Sequence, residues 1–206
     1  MTISEHKYSW AYKPGSRSTS THLILHHAAA AGVSAETIHN WHLGNGWAGI
    51  AYHYYVRRDG SVYRGRPESW LGGHTTNWNY CSIGICFEGN FDVEIMPEAQ
   101  RRAGAELVAD IRSRYPGIIV GKHKSYNATA CPGANFPYDD IVSGFTGEPS
   151  DTDAEKTDEP SVWAKDSCEK AIARGLIQGD GRGSYSWHEP LTREMFAVLA
   201  DRLGIM

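Results

Sequence analysis

The chain has 206 residues, enough for one domain of ordinary size and a small appendage. Hydrophobic residues make up 41% of it and aromatics 11%, which supports a packed core and excludes wholesale disorder. A net charge of −4 argues against nucleic acid as the main partner, and no apolar run approaches the roughly 18 residues that a membrane span needs.

The opening MTISEHKYSWAYKP lacks the apolar stretch and cleavage-like ending of a signal peptide, so the protein is expected to be soluble and made without an export signal. His22–His27, HLILHH, reads as a buried strand. Residues 34–46 read as a short helix, capped by Ser34 and stopped by Gly44 and Gly46. Residues 52–57 and 61–66 read as two strands joined by Arg58-Asp59-Gly60, whose Asp-Gly pair is a strong hairpin signal. Residues 82–88, SIGICFE, form another strand. Residues 97–115 carry the clearest helix: Pro97 suits its first turn, and Ala99, Ala103, Leu107, Val108, Ile111 and Tyr115 make one apolar stripe. Pro116-Gly117 ends it, and residues 118–123 are a further strand. This alternation predicts an α/β domain with a mixed central β-sheet flanked by helices, spanning residues 1–143.

Composition changes after that. Residues 1–143 hold 13 basic and 12 acidic side chains, whereas residues 144–206 hold 7 and 12. Nine of the ten histidines lie in the first part, so histidine chemistry belongs there. Residues 144–160 carry six acidic residues and few large apolar ones, which predicts a flexible linker. Residues 161–206 form a small C-terminal helical unit, with helices expected at 163–174 and 192–203. A unit this small buries little on its own and is expected to pair with copies of itself or dock elsewhere.

Four cysteines, Cys81, Cys86, Cys131 and Cys168, do not make a disulfide framework and include no CxxC pair. Cys81 and Cys86 should point to opposite faces of a strand, so free thiols or a metal ligand are expected. His26 and His27 end the first predicted strand, His123 ends a later one, and Cys131 follows eight residues on. Two imidazoles and a thiolate suit catalytic zinc, with a fourth position left open. His26 and His27 point to opposite faces, so one of the two is the ligand. His22, His39, His42 and His188 read as structural, and Tyr54 and Tyr55 as packing aromatics.

Four blocks carry a resemblance: LILHHAA, GWAGIAYHYYVRRDGSVYRGRP, GGHTTNWNYCSIGICFEGNFD and HKSYNATACPG. In this order they resemble the type 2 N-acetylmuramoyl-L-alanine amidase family, which includes phage lysozyme-amidases and peptidoglycan recognition proteins. The resemblance implies a zinc enzyme that cuts peptidoglycan between N-acetylmuramic acid and L-alanine. It implies His26, His123 and Cys131 as zinc ligands and Tyr52 as the catalytic tyrosine. Trp47, His74 and Asn77 match segments that line the peptide groove. A lysine common two residues before the cysteine is replaced by Thr129, whose hydroxyl is then a candidate oxyanion donor with Tyr52. A glutamate that some members place in the SIGI strand is replaced by Cys86. Residues 161–206, through WAKDSCEKAIARGLIQGDG and WHEPLTREMFAVLADRLG, resemble a single S-layer homology repeat. That implies binding to a secondary cell-wall polymer, or self-association into a homo-oligomer.

With no export signal, these parts describe a phage or prophage endolysin, made in the host cytoplasm and acting on the wall after release. The alternatives are a bacterial wall-remodelling amidase and a non-catalytic peptidoglycan receptor. In receptors of this family the zinc cysteine is usually replaced, and Cys131 is present.

Overall fold

The computed structural model describes residues 2–144 and 165–178, with single positions at 185, 198, 200, 201 and 203. The chain divides into two compact units, Met1–Thr146 and Gly147–Met206. The acidic stretch after Gly144 and most of residues 192–203 lie outside the described residues.

The first unit is built on a six-stranded sheet in the order β1-β4-β3-β5-β2-β6. The strands are β1 (Ile3–Ser4), β2 (His22–His27), β3 (Tyr54–Val56), β4 (Val62–Arg64), β5 (Ser82–Phe87) and β6 (Ile119–Lys122). β2 lies parallel to β5 and β6, β3 is parallel to β5, and the β3–β4 pair is antiparallel. This is the mixed sheet expected, flanked by α1 (Ala35–Gly44) and α2 (Glu98–Arg114). A short α3 (Tyr138–Ser143) and the edge strand β1, parallel to β4, were not expected. In the second unit, α4 (Lys165–Ala173) falls inside the expected helix 163–174.

Local chemistry explains the boundaries. Ser34 Oγ accepts the Thr37 N–H at 3.0 Å, so α1 starts where its cap predicts. Gly60 takes φ +84° in the β3–β4 hairpin, the left-handed geometry that closes a three-residue loop. β3 starts later than residue 52 because the His53 ring intervenes: its Nδ1 accepts the Gly84 N–H at 3.0 Å in place of a strand carbonyl. The predicted stripe on α2 needs a correction. Ala99 is exposed and Gln100 is buried instead. Gln100 Nε2 donates to Val56 O at 3.0 Å and Glu88 O at 2.8 Å, and those two hydrogen bonds turn the polar side chain inward.

Strand alternation gives the sheet two different faces. On one, Leu23, Leu25, Ile83, Ile85, Phe87, Tyr54 and Val56 pack with Leu107, Val108 and Ile111 of α2. Each such large side chain contributes about 1.5–3 kcal/mol when removed from water. Past the end of α2 this face is tied down by Glu68, whose carboxylate accepts both Arg114 Nη atoms (2.7 and 2.9 Å) and the hydroxyls of Tyr115 (2.7 Å) and Tyr54. Burial pushes the Glu68 carboxyl up, but the bonds from Arg114, Tyr54 and Tyr115 outweigh it and hold it down at about 2. The other face carries Tyr55 and Cys86, packed with Ile38 and Ala35 of α1. His26 sits on that face beside Cys86, its partner in register across β2 and β5.

Candidate metal centre

His26 is the fifth residue of β2 and is 1% exposed. His27 points to the opposite face, where its Nδ1 accepts the Phe91 N–H at 3.2 Å. The strand therefore presents His26 to the site. His123 opens a single 3-10 turn (His123–Ser125) directly after β6, one step beyond the strand end expected for it. Cys131 follows on the next loop, where its Sγ accepts the His27 backbone N–H at 3.4 Å. One ligand atom from each of His26, His123 and Cys131 falls within 4.8 Å of the others.

The remaining atoms of these residues are already engaged. His26 Nδ1 lies 3.8 Å from Cys131 Sγ, while its Nε2 lies 3.0 Å from His74 Nδ1. His123 Nε2 lies 3.2 Å from Asn127 Oδ1. Burial lowers the pKa of His26, helped by the neighbouring His123 and His27, and burial lowers that of His123 against its hydrogen bond to Asn127. Both rings are therefore neutral at neutral pH, the form a metal needs. Burial raises the Cys131 thiol to about 11, opposed by the His27 N–H, so the sulfur is a thiol that a bound cation would deprotonate. A set of two neutral imidazoles and one thiol at this spacing fits zinc.

Tyr52 is the nearest phenol, its ring centred 5.2 Å from that of His26. Burial, the Cys86 and Cys131 thiols and a hydrogen bond with Cys86 raise its pKa well above the usual range, so it remains an O–H donor. Thr129 is exposed, and its Oγ1 accepts the Cys131 N–H at 3.2 Å, which leaves its own hydroxyl proton available beside the ligand loop. Trp47 is 43% exposed and lies 4.8 Å, centre to centre, from the His42 ring. Asn77 stands on an exposed turn at φ +68°, a conformation that asparagine tolerates.

One residue matched to the groove is buried, and one histidine read as structural borders the site. His74, matched to the peptide groove, is only 7% exposed and lies behind His26. His42, read as structural, accepts the Ala51 N–H at 3.0 Å and places its ring between Trp47 and Tyr52. Its pKa falls to about 4, through burial and then the nearby Arg66 and His39. Asn127 escaped the sequence reading altogether, and its spacing of four from His123 was the available signal. His22 and His39 keep structural surroundings: His39 accepts the Ile50 N–H at 3.1 Å, and His22 stacks edge-on against Trp78. His188 lies outside the described residues. All four cysteines are free.

Residues 16–134, more than half of the chain, match the family described as N-acetylmuramoyl-L-alanine amidase, and the chain belongs to that family. A peptidoglycan-recognition protein (SC2) of Drosophila melanogaster is 34% identical over 147 residues, covering 63% of this chain and 80% of the relative. The endolysin of Escherichia phage T7 is 32% identical over 123 residues, covering 55% and 81%. Among solved structures, the N-acetylmuramoyl-L-alanine amidase LysC from Clostridium intestinale superposes with a TM-score of 0.68 at 33% identity, over 70% of this chain and 97% of that one.

Proposed function

We propose that this protein hydrolyses the amide bond between N-acetylmuramic acid and L-alanine in bacterial peptidoglycan, with zinc held by His26, His123 and Cys131, as an endolysin. The observation that carries this reading is the convergence of two neutral imidazoles, one thiol and the Tyr52 phenol. Zinc in that set supplies Lewis-acid polarisation of an otherwise unreactive amide and activates water. The chain's own residues do the rest. Tyr52 offers an O–H to the charge that develops on the amide oxygen, and the Thr129 hydroxyl offers a second from the ligand loop. Trp47 presents a flat apolar face for the glycan or the stem peptide, and Asn77 a polar rim. The phage endolysin and LysC relatives support the lytic role. The presence of Cys131 and Tyr52 favours catalysis over binding alone. Anchoring to a secondary wall polymer through residues 161–206 is part of the same proposal and is supported by the sequence resemblance of that unit.

Product analysis tests the reading. Digested peptidoglycan should gain free L-alanine amino termini and no new reducing sugar ends. Reducing ends without new amino termini would make the protein a glycosidase instead.

A further inference from the structure

We propose that His74 and Asn127 are positioning residues, which fix the ring orientation and proton placement of His26 and His123 so that both present Nδ1 to the metal. The inference rests on the zinc reading above and deepens it.

The geometry is specific on both sides. His26 Nδ1 faces Cys131 Sγ at 3.8 Å, so its Nε2 carries the hydrogen and donates it to His74 Nδ1 at 3.0 Å. Thr75 Oγ1 lies 3.4 Å from His26 Nε2 and 2.9 Å from His74 Nδ1, where it can share the His26 hydrogen as a second acceptor. His74 must then carry its hydrogen on Nε2, and there it faces Ser82 Oγ at 3.4 Å. Ser82 passes its own hydroxyl hydrogen to Trp78 O at 2.7 Å. The arrangement that leaves His26 Nδ1 bare puts the hydrogens of His26 Nε2, His74 Nε2 and Ser82 Oγ each on an acceptor. The His123 side has the same logic. Its Nε2–H donates to Asn127 Oδ1 at 3.2 Å, and Asn127 Nδ2 donates to Thr76 O at 3.4 Å, so the amide is held with its oxygen towards the ring.

The His74 ring is also clamped mechanically. A Cβ on Gly84 would stand 2.5 Å from His74 Cδ2, and one on Gly72 would stand 2.6 Å from the same atom. Its loop is pinned by Asn79 Oδ1, which accepts the backbone N–H of His74 at 2.8 Å and of Thr75 at 3.0 Å. A residue this confined, 7% exposed, is placed to hold a neighbour rather than to meet a glycopeptide. Acceptors behind metal-bound histidines typically change metal affinity 10–100-fold when removed.

The test is zinc affinity, measured on the full chain by competition with a chromogenic chelator, alongside turnover. His74→Ala and Asn127→Ala should each weaken zinc binding about 10–100-fold. Asn127→Asp restores an acceptor and should recover the wild-type affinity. Asn127 is only partly buried, so its variants decide the matter even if His74→Ala does not fold. Wild-type zinc affinity in both alanine variants, with a raised KM for muropeptide, would overturn the proposal and make these residues substrate contacts. A wild-type chain that binds no zinc would overturn the metal reading itself, and this inference with it.

Discussion

The two faces of the central sheet solve the burial of polar groups in opposite ways. Beneath α2, a carboxylate is kept charged by pairing: Glu68 takes four hydrogen bonds from Arg114, Tyr54 and Tyr115. On the face of α1, imidazoles are kept uncharged by burial: His26 and His74 both fall well below their ordinary pKa, for want of water first and through neighbouring histidines second. The first arrangement makes stability depend on charge. The second keeps lone pairs free for a cation. One sheet can hold both because alternate residues along a strand never share a face.

The sharpest way to break this contrast is Cys131→Ser. Zinc content should drop to background and turnover should fall by about 10³-fold or more, since the Lewis-acid contribution to such a reaction is several kcal/mol. The melting curve of metal-free protein should barely move, because the apolar face does not use Cys131. A large loss of metal-free stability would show that the two faces are not separable. Next comes Tyr52→Phe, which removes one donor and leaves the ring. Turnover should fall about 10²–10³-fold with zinc content intact. Near-normal turnover would assign Tyr52 to packing and shift the donor role to Thr129.

The opposite face answers to pH. The Glu68 carboxyl has a folded pKa of about 2, below its ordinary 4.5. Its contribution is therefore fully present above pH 4.5 and is lost as pH falls from there through 2. Glu68→Gln should lower stability in denaturant titrations at pH 7 by about 1–3 kcal/mol. It should also flatten the acid limb in that window while leaving zinc binding unchanged. An unchanged acid limb would mean that the cluster is too open to water to matter. The smallest effect is expected from ending the chain at Gly144. Cleavage of soluble muropeptide should persist, whereas activity on intact walls should fall because a tether raises local concentration only where it binds. The full chain should run as an oligomer in light scattering and the shortened one as a monomer; two monomers would remove self-association from the account.

Much of this was legible in the sequence where signals were local and strong. HLILHH, the Ser34 cap, the Asp59-Gly60 turn and the long period of α2 all announce their elements within a dozen residues. The clustering of His26, His123 and Cys131 was legible through motif order. What escaped depends on distant partners. Gln100 faces inward because two carbonyls, on β3 and just beyond β5, wait for it, which no helical period encodes. β1 is two residues long and exists only because β4 offers it an edge. His74 was assigned to the groove because its loop carries groove residues. Its actual neighbour, His26, is 48 positions away in the chain, and only the folded loop shows which way the ring turns.

The tight seat of the His74 ring also limits how this domain can be redesigned. Anyone retargeting it to a different wall chemistry has a free hand with Trp47 and Asn77, which lie open to solvent. Gly84 offers no such freedom: a single added methyl would push the His74 ring off its seat beside His26 from inside the sheet. A library that randomised the SIGI strand would meet that limit at a position with no chemistry of its own.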